Sequence, residues 1–107
     1  MTDEILKRSL KEKMLLISIV GVLEAIIAGS LSINESEKFL FSPYMIEKLK
    51  KERYRYTIID ILEKGCELED IASLIPKKLS SNLRELKKEA LEAMREYGEF
   101  DQEFWVC

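Results

Sequence analysis

The sequence predicts an all-α protein, a compact bundle of about five or six helices with a central apolar N-terminal helix. Helix formers such as Leu, Ile, Lys and Glu dominate, and only 4 Gly and 2 Pro interrupt them, which leaves little room for a turn-rich β fold. Helix start signals stand at Ser32, Ser42 and Ser80, with helical stripes of apolar residues between them. A length of 107 residues is that of one domain, so residues 1–107 form a single all-α domain in which 98–107 is an acidic and aromatic tail.

The first predicted helix begins near Asp3 and becomes apolar on nearly all sides in its second half, as the central helix of a bundle does. Gly29 is expected to end this helix as the residue after its C-cap. Ser18, Gly21, Ala25 and Ala28 lie roughly a turn apart and favour close packing of a neighbouring helix, or alternatively a self-association face of a homodimer. The residues that we expect to be buried are Leu16, Ile17, Val20, Leu23 and Ile27.

The apolar segment 14–28 does not suit a membrane span. Its 15 residues fall short of the ~20 that a spanning helix needs, and they include Glu24. Acidic residues stand among the lysines that precede the segment, which does not suit a secretory leader. We therefore expect a cytoplasmic protein without membrane association, in which Glu24 forms an ion pair with a basic side chain.

Residues 32–35, Ser-Ile-Asn-Glu, have the pattern of a capping box and predict a short helix that runs to about Phe41. Ser42 followed by Pro43 predicts the start of the next helix. A further helix is expected over 54–64, ended by Gly65. The bulky residues around this corner are expected to supply core material: Phe39, Leu40, Phe41, Tyr44, Met45 and Leu49.

Residues 48–56, KLKKERYRY, contain five Lys or Arg with Tyr54 and Tyr56 between them. This composition is the best local argument for binding of nucleic acid or of an acidic partner. The alternative is a solvated helix end whose tyrosines pack inward. The net charge of −3 favours that alternative.

Residues 65–90 have the outline of a helix-turn-helix, with a first helix over 68–75 and a second capped by Ser80 or Ser81. The second helix mixes Arg84, Lys87 and Lys88 with carboxylates at 85, 89 and 92, so a DNA phosphate would meet negative charge on much of its surface. Its apolar residues form a heptad-like seam that predicts bundle packing instead. The seam consists of Leu79, Leu83, Leu86, Ala90, Ala93 and Tyr97.

The sequence contains few of the residues and motifs that catalysis requires. The chain has no His, and Cys66 and Cys107 have no metal-binding spacing. No phosphate-binding glycine loop, dinucleotide fingerprint or nucleophile–base pair is present. An oxygen-only Mg²⁺ or Ca²⁺ site built from paired carboxylates is conceivable, but interspersed Lys and Arg favour an ordinary charged surface. We expect no enzyme activity, no cofactor and no metal.

The tail, GEFDQEFWVC, combines carboxylates with large apolar side chains. It either folds back, with Phe104 or Trp105 near Phe39, Phe41 and Tyr44, or forms a partner-binding patch. The residues predicted to bind a partner are Glu99, Phe100, Asp101, Glu103, Phe104 and Trp105.

The pattern SINESEKFLFSPYMIEKL, followed by LEKGCELEDIASLIP and a Leu-spaced terminal helix, resembles small uncharacterised all-α proteins of Firmicutes. This resemblance implies a cytosolic bacterial helical domain and no catalytic residues. The predicted function is a non-enzymatic protein–protein interaction module, such as an immunity protein or inhibitor, that presents acidic surface and the Trp105 region to a more basic protein partner. The alternative is a helix-turn-helix regulator that binds DNA through residues 65–90.

Overall fold

The computed structural model describes the backbone of residues 3–100 and the side chains of residues 7–100. This part of the chain is helical and contains no strand, which confirms the all-α class. The bundle is formed by four helices of nine or more residues, where the sequence predicted about five or six. Two shorter helices of seven residues connect them. The helices are α1 (Asp3–Ile27), α2 (Ile33–Phe39), α3 (Pro43–Lys51), α4 (Tyr56–Cys66), α5 (Leu68–Leu74) and α6 (Leu79–Met94), with a 3-10 turn over Pro76–Lys78 between α5 and α6.

Helix α1 has the central position that the sequence predicts, and its principal partner is α6. Leu16, Ile19 and Leu23 of α1 are fully buried. From α6, Leu86 and Ala90 pack into the same core. The heptad-like seam is confirmed as a packing surface, because its residues from Leu83 to Ala93 are buried and Leu79 and Tyr97 are partly buried against the core.

One side of α1 remains open to solvent, which corrects part of the predicted core. Leu16 and Leu23 are buried as expected, but Ile17 is 46% exposed and Val20 and Ile27 are only partly buried. A Cβ atom added at Gly21 would have no neighbouring atom within 4 Å, so no helix of the described chain packs closely against this position. Within residues 3–100, no helix has both the length and the apolar character to cross a membrane.

Three of the predicted helix boundaries have the expected hydrogen bonds. The backbone N–H of Glu35 donates to the Ser32 hydroxyl at 3.0 Å, and that of Met45 donates to the Ser42 hydroxyl at 3.2 Å. Gly29 has φ +78°, and the N–H groups of Gly29 and Ser30 donate to the carbonyls of Ile26 and Ala25. These last bonds form a Schellman motif, in which the residue at positive φ favours glycine.

The predicted cap of the last helix at Ser80 or Ser81 is wrong. Helix α6 begins at Leu79, directly after the 3-10 turn, so no extended residue separates the two. The hydroxyl of Ser81 and the amide of Asn82 donate backward to the carbonyl of Lys78, at 3.0 and 2.7 Å. These polar side chains therefore satisfy the end of the turn instead of capping a helix.

Gly65 does not end α4, as the sequence suggested, but lies inside it one residue before its end at Cys66. A Cβ atom at Gly65 would lie 2.3 Å from Cδ1 of Phe41, whose side chain is 1% exposed. Gly65 is thus needed for the close approach of this aromatic ring. Phe39 and Tyr44, also expected in the core, are 63% and 76% exposed, because the chain between α2 and α3 turns Leu40 and Phe41 inward instead.

Candidate functional site

Carboxylates line the surface where α6 meets α4 and the start of α5. Two shallow grooves of about 230 and 300 Å³ follow this junction and meet at Glu89. We call the carboxylates that line them the acidic seam. They are Asp60, Glu67, Glu85, Glu89, Glu92 and Glu96.

Lys64 is the one basic side chain that lines these grooves in the described part of the chain. Its Nζ lies 2.9 Å from Oε1 of Glu89 and 3.3 Å from Oδ2 of Asp60. The hydrogen bonds to these two carboxylates raise the pKa of Lys64, so it stays protonated. Lys64 pairs with two of the six carboxylates and Arg55 lies 3.5 Å from Glu96, so the acidic seam keeps an excess of negative charge and suits a cationic ligand.

The seam arises from the spacing of the α6 carboxylates. Positions 85, 89 and 92 are spaced by four and three and therefore share one face of the helix, and position 96 continues this spacing in the turn after it. The basic residues Arg84, Lys88 and Arg95 are exposed on another face. The sequence shows these charges interspersed, but the fold separates them into two stripes.

Glu12, which the sequence analysis did not identify, is the only buried charged side chain among residues 7–100, at 3% exposure. Its Oε2 accepts a hydrogen bond of 2.7 Å from the backbone N–H of Arg55, and Oε1 lies 3.8 Å from Nε of the same residue. The Arg55 guanidinium lies 4.6 Å from the ring centre of Tyr97 and 3.5 Å from Oε2 of Glu96. This cluster connects α1, the loop before α4 and the chain after α6. In the sequence, Glu12 stands one helical turn before Leu16 on the buried stripe of α1. This position was the signal that could have identified Glu12 as a buried residue.

Burial and the nearby negative charge of Glu12 raise the pKa of Tyr97 to about 12. The carboxylate singled out from the sequence, Glu24, is instead 54% exposed. Its predicted ion pair is confirmed, because Oε1 lies 2.5 Å from Nζ of Lys87. Glu24 therefore supports the α1–α6 contact from the surface, and Glu12 ties α1 to the loop before α4 from the interior.

A second acidic group lies where α2 meets α5. A hydrogen bond with Glu69 and burial raise the pKa of Glu37. Burial and the charges of Glu37 and Glu63 raise the pKa of the Cys66 thiol, which favours the thiol over the nucleophilic thiolate. In residues 3–100, no three His, Cys, Asp or Glu side chains converge in a way that could hold a metal ion.

The structure describes only the beginning of the predicted partner-binding tail. Glu99 is exposed and Phe100 is 38% exposed. Nζ of Lys13 donates to the carbonyl of Gly98 at 2.6 Å and lies 4.4 Å from the centre of the Phe100 ring, so the chain returns onto α1 here. Asp101, Glu103, Phe104 and Trp105 lie outside the described residues, as does the predicted packing of Phe104 or Trp105 near Phe39.

The basic stretch 48–55 forms the last turn of α3 and the loop that follows it. Its lysines are exposed, and Arg53 has φ 61°, a left-handed conformation that turns the chain toward α4. Tyr54 is partly buried, as the solvated-helix interpretation predicts. Tyr56 is 76% exposed, so the inward packing predicted for it is wrong.

A family model described as "Protein of unknown function (DUF3969)" matches residues 7–107. The match covers both the core helices and the tail. No curated protein and no solved structure matches the chain.

Proposed function

We propose that this chain, which belongs to the family "Protein of unknown function (DUF3969)", is a non-enzymatic protein–protein interaction module, such as an immunity protein or inhibitor, whose partner is basic. The bacterial, Firmicutes origin and the cytoplasmic location expected from the sequence are part of this proposal. The observation that carries it is the acidic seam, a line of six carboxylates with a single lysine along two adjoining grooves.

The shape of the seam supports a macromolecular partner over a small substrate. The grooves are shallow and follow the whole junction from Glu85 in α6 to Glu96 just after it, eleven steps along the chain and about 16 Å at 1.5 Å per residue. Ile71, which is partly buried, adds limited apolar surface at one end, beside Leu68 and Leu86 of the buried core. A row of charge beside apolar area is the composition of a protein docking surface, in which charge complementarity speeds and orients association.

The tail extends this proposal. Its carboxylates Asp101 and Glu103 and its aromatics Phe104 and Trp105 have the same combination of negative charge and apolar surface as the seam. A basic partner could use these tail residues as an additional anchor, in the manner of aromatic hot spots.

The test is affinity capture with the full chain, followed by binding measurements on the purified partner. Glu92 lines the seam and is exposed, so Glu92→Lys should weaken binding by about tenfold or more. Glu47 is exposed on α3, away from the seam, and Glu47→Lys makes the same change in net charge. It is the matched control and should bind normally.

Equal binding by both variants would refute a role of the seam. A partner without a basic surface, or binding that does not weaken as salt rises, would also contradict the proposal.

A DNA-binding regulator remains the second candidate, because the fold gathers basic residues on the solvent side of α6. Arg84, Lys88 and Arg95 are exposed there, and Lys77 and Lys78 are exposed in the turn before α6. Binding to duplex DNA can be measured by fluorescence anisotropy at physiological salt. Sequence-dependent binding that Arg84→Ala weakens would favour this candidate, and weak binding that disappears with salt would not.

A further inference from the structure

A third groove, separate from the two along the acidic seam, lies between α1 and α3. Its volume is about 360 Å³, and apolar side chains of both helices form its floor. Met14 and Leu15 come from α1, Met45 and Leu49 come from α3, and Tyr54 closes one end. We call this surface the basic groove.

The groove exists because α1 and α3 are not principal packing partners. Helix α3 packs mainly on α4, and α1 packs mainly on α6. Leu49 is buried, but Met14, Leu15 and Met45 stay partly exposed in the gap between the helices. Methionine side chains are flexible and polarizable, so a floor with two of them can adapt to different apolar ligands.

The charges around the groove are mostly positive. Lys11 stands on the α1 side and Lys48 on the α3 side, so lysines flank the apolar floor from both helices. Beyond Tyr54 the surface continues into a shallow depression with Lys7 and Arg8. Glu52 is the only carboxylate that lines either surface in the described part of the chain.

We propose that the basic groove binds an amphipathic helix of another protein, with apolar side chains on the Met14–Met45 floor and carboxylates beside Lys11 and Lys48. Charge complementarity selects this partner, because carboxylates that flank the apolar face would meet a lysine on each side. The site is separate from the acidic seam and requires a partner of the opposite charge. The protein would then join an acidic and a basic partner.

The walls of the groove favour a helical ligand over an extended one. Both walls are α-helices whose backbone groups bond within the helix, so they offer no strand edge to which an extended peptide could add. An extended ligand would leave its own backbone groups unpaired over an apolar floor. A helix satisfies its backbone internally and presents only side chains.

The test uses a fluorescein-labelled synthetic peptide of about five helical turns, or ~18 residues. It carries Leu at helical spacing with Glu on both flanks of the apolar face. Two control peptides separate the contributions, one with the same composition in scrambled order and one with Lys in place of each Glu. Fluorescence anisotropy with the full chain at physiological salt should show binding of the acidic amphipathic peptide only.

Three variants of the protein locate the site. Lys11→Glu together with Lys48→Glu should weaken binding by about tenfold or more. Lys50→Glu together with Lys88→Glu is the matched control, because it makes the same change in net charge at two exposed lysines that do not line the groove, and it should bind within about threefold of wild type. Ser18→Phe places a ring at the exposed edge of the groove and should block binding without lowering the melting temperature.

Several results would overturn the inference. They are failure of the acidic peptide to bind at physiological salt, equal binding of the scrambled or Lys-containing peptide, and unchanged binding after the double charge reversal. A dimer in solution that dissociates in the Lys48→Glu variant would instead make a second copy of the chain the occupant. None of these results depends on Glu92, the residue that tests the acidic seam. The two proposals can therefore be confirmed or refuted independently.

Discussion

Glu12 lies on the buried side of α1 and accepts a hydrogen bond from the backbone N–H of Arg55 at 2.7 Å. Without the carboxylate, that N–H group has no acceptor, and the Arg55 guanidinium loses one of its two carboxylate neighbours. Loss of the acceptor for this part-buried donor, together with loss of the neighbouring charge, costs about 1–3 kcal/mol. The side chain therefore ties the loop before α4 to α1.

We predict that Glu12→Ala lowers the free energy of unfolding by about 1–3 kcal/mol, measured by urea denaturation. Glu96→Ala is the matched control, because it removes the other, 59% exposed carboxylate neighbour of Arg55. The control should change stability by less than about 1 kcal/mol. If both variants lost the same free energy of unfolding, the burial of Glu12 would not be the cause of its contribution to stability.

Tyr97 gives a prediction about alkaline pH. Its pKa in the folded protein is raised to about 12, above the ordinary value of 10.0. A raised pKa favours the protonated, folded form, so its contribution to stability is complete below pH 10 and is lost as pH rises through 12. Tyr97→Phe should therefore lose less stability than wild type between pH 10 and 12.

The measurement is the difference in denaturation midpoint between wild type and Tyr97→Phe across this pH range. Ultraviolet titration of the same two proteins should assign the latest-ionising tyrosine to position 97. Parallel stability curves above pH 10 would contradict the assignment, because both proteins then respond only to the titration of other groups.

At the scale of elements, two glycines inside helices have opposite roles. Gly65 in α4 would place a Cβ 2.3 Å from the buried Phe41 ring, and Gly21 in α1 has open space beside it. Glycine inside a helix costs roughly 0.5–1 kcal/mol relative to alanine. Only at Gly65 does the structure give a packing reason for that cost.

We therefore predict changes of opposite sign. Gly21→Ala should raise the free energy of unfolding by about 0.5–1 kcal/mol, and Gly65→Ala should lower it by about 1–3 kcal/mol because it overpacks the core. Thermal denaturation followed by circular dichroism at 222 nm compares both variants with wild type. Stabilisation by both substitutions would mean that Phe41 moves aside at little cost.

The elements were predicted from sequence where the signal was local. Ser32, Ser42 and Gly29 mark helix boundaries through bonds to residues at most five positions away, and each was predicted correctly. Gly65 was misread as a helix end, because its reason is the ring of Phe41, which is distant in sequence. Ile17 was misread as core, because an apolar stripe does not show which side of a helix its neighbours leave open.

The candidate surfaces were harder to predict because they depend on how helices are arranged. The spacing of 85, 89, 92 and 96 was visible in the sequence, but Asp60 of α4 and Glu67 after it, which complete the seam, could be added only from the fold. The basic groove likewise needs α1 beside α3. The predicted tail residues from Asp101 onward lie outside the described residues.

At the scale of the whole molecule, the tail remains a prediction with a direct test. Trp105 is the only Trp in the chain, so its fluorescence reports this segment alone. We predict a blue-shifted emission maximum, since packing an aromatic side chain against the bundle is worth on the order of 1.5–3 kcal/mol. Deletion of 100–107 should lower the melting temperature and also weaken partner binding.

A fully solvated emission maximum would reject the packed tail. A deletion that leaves the melting temperature unchanged but abolishes partner binding would show that the segment serves recognition alone. Phe104→Ala is the milder variant and should shift both measurements in the same direction as the deletion.

The pairing of α1 with α6 also affects how the protein is made in the cell. A ribosome that has completed α1 must still add 51 residues after Ile27 before it reaches Leu79, where α6 begins. At about 5–20 residues per second, this takes roughly 3–10 s. During that time the apolar face around Leu16, Ile19 and Leu23 lacks its principal cover, so the nascent chain offers ribosome-associated chaperones an apolar binding segment until α6 has been made.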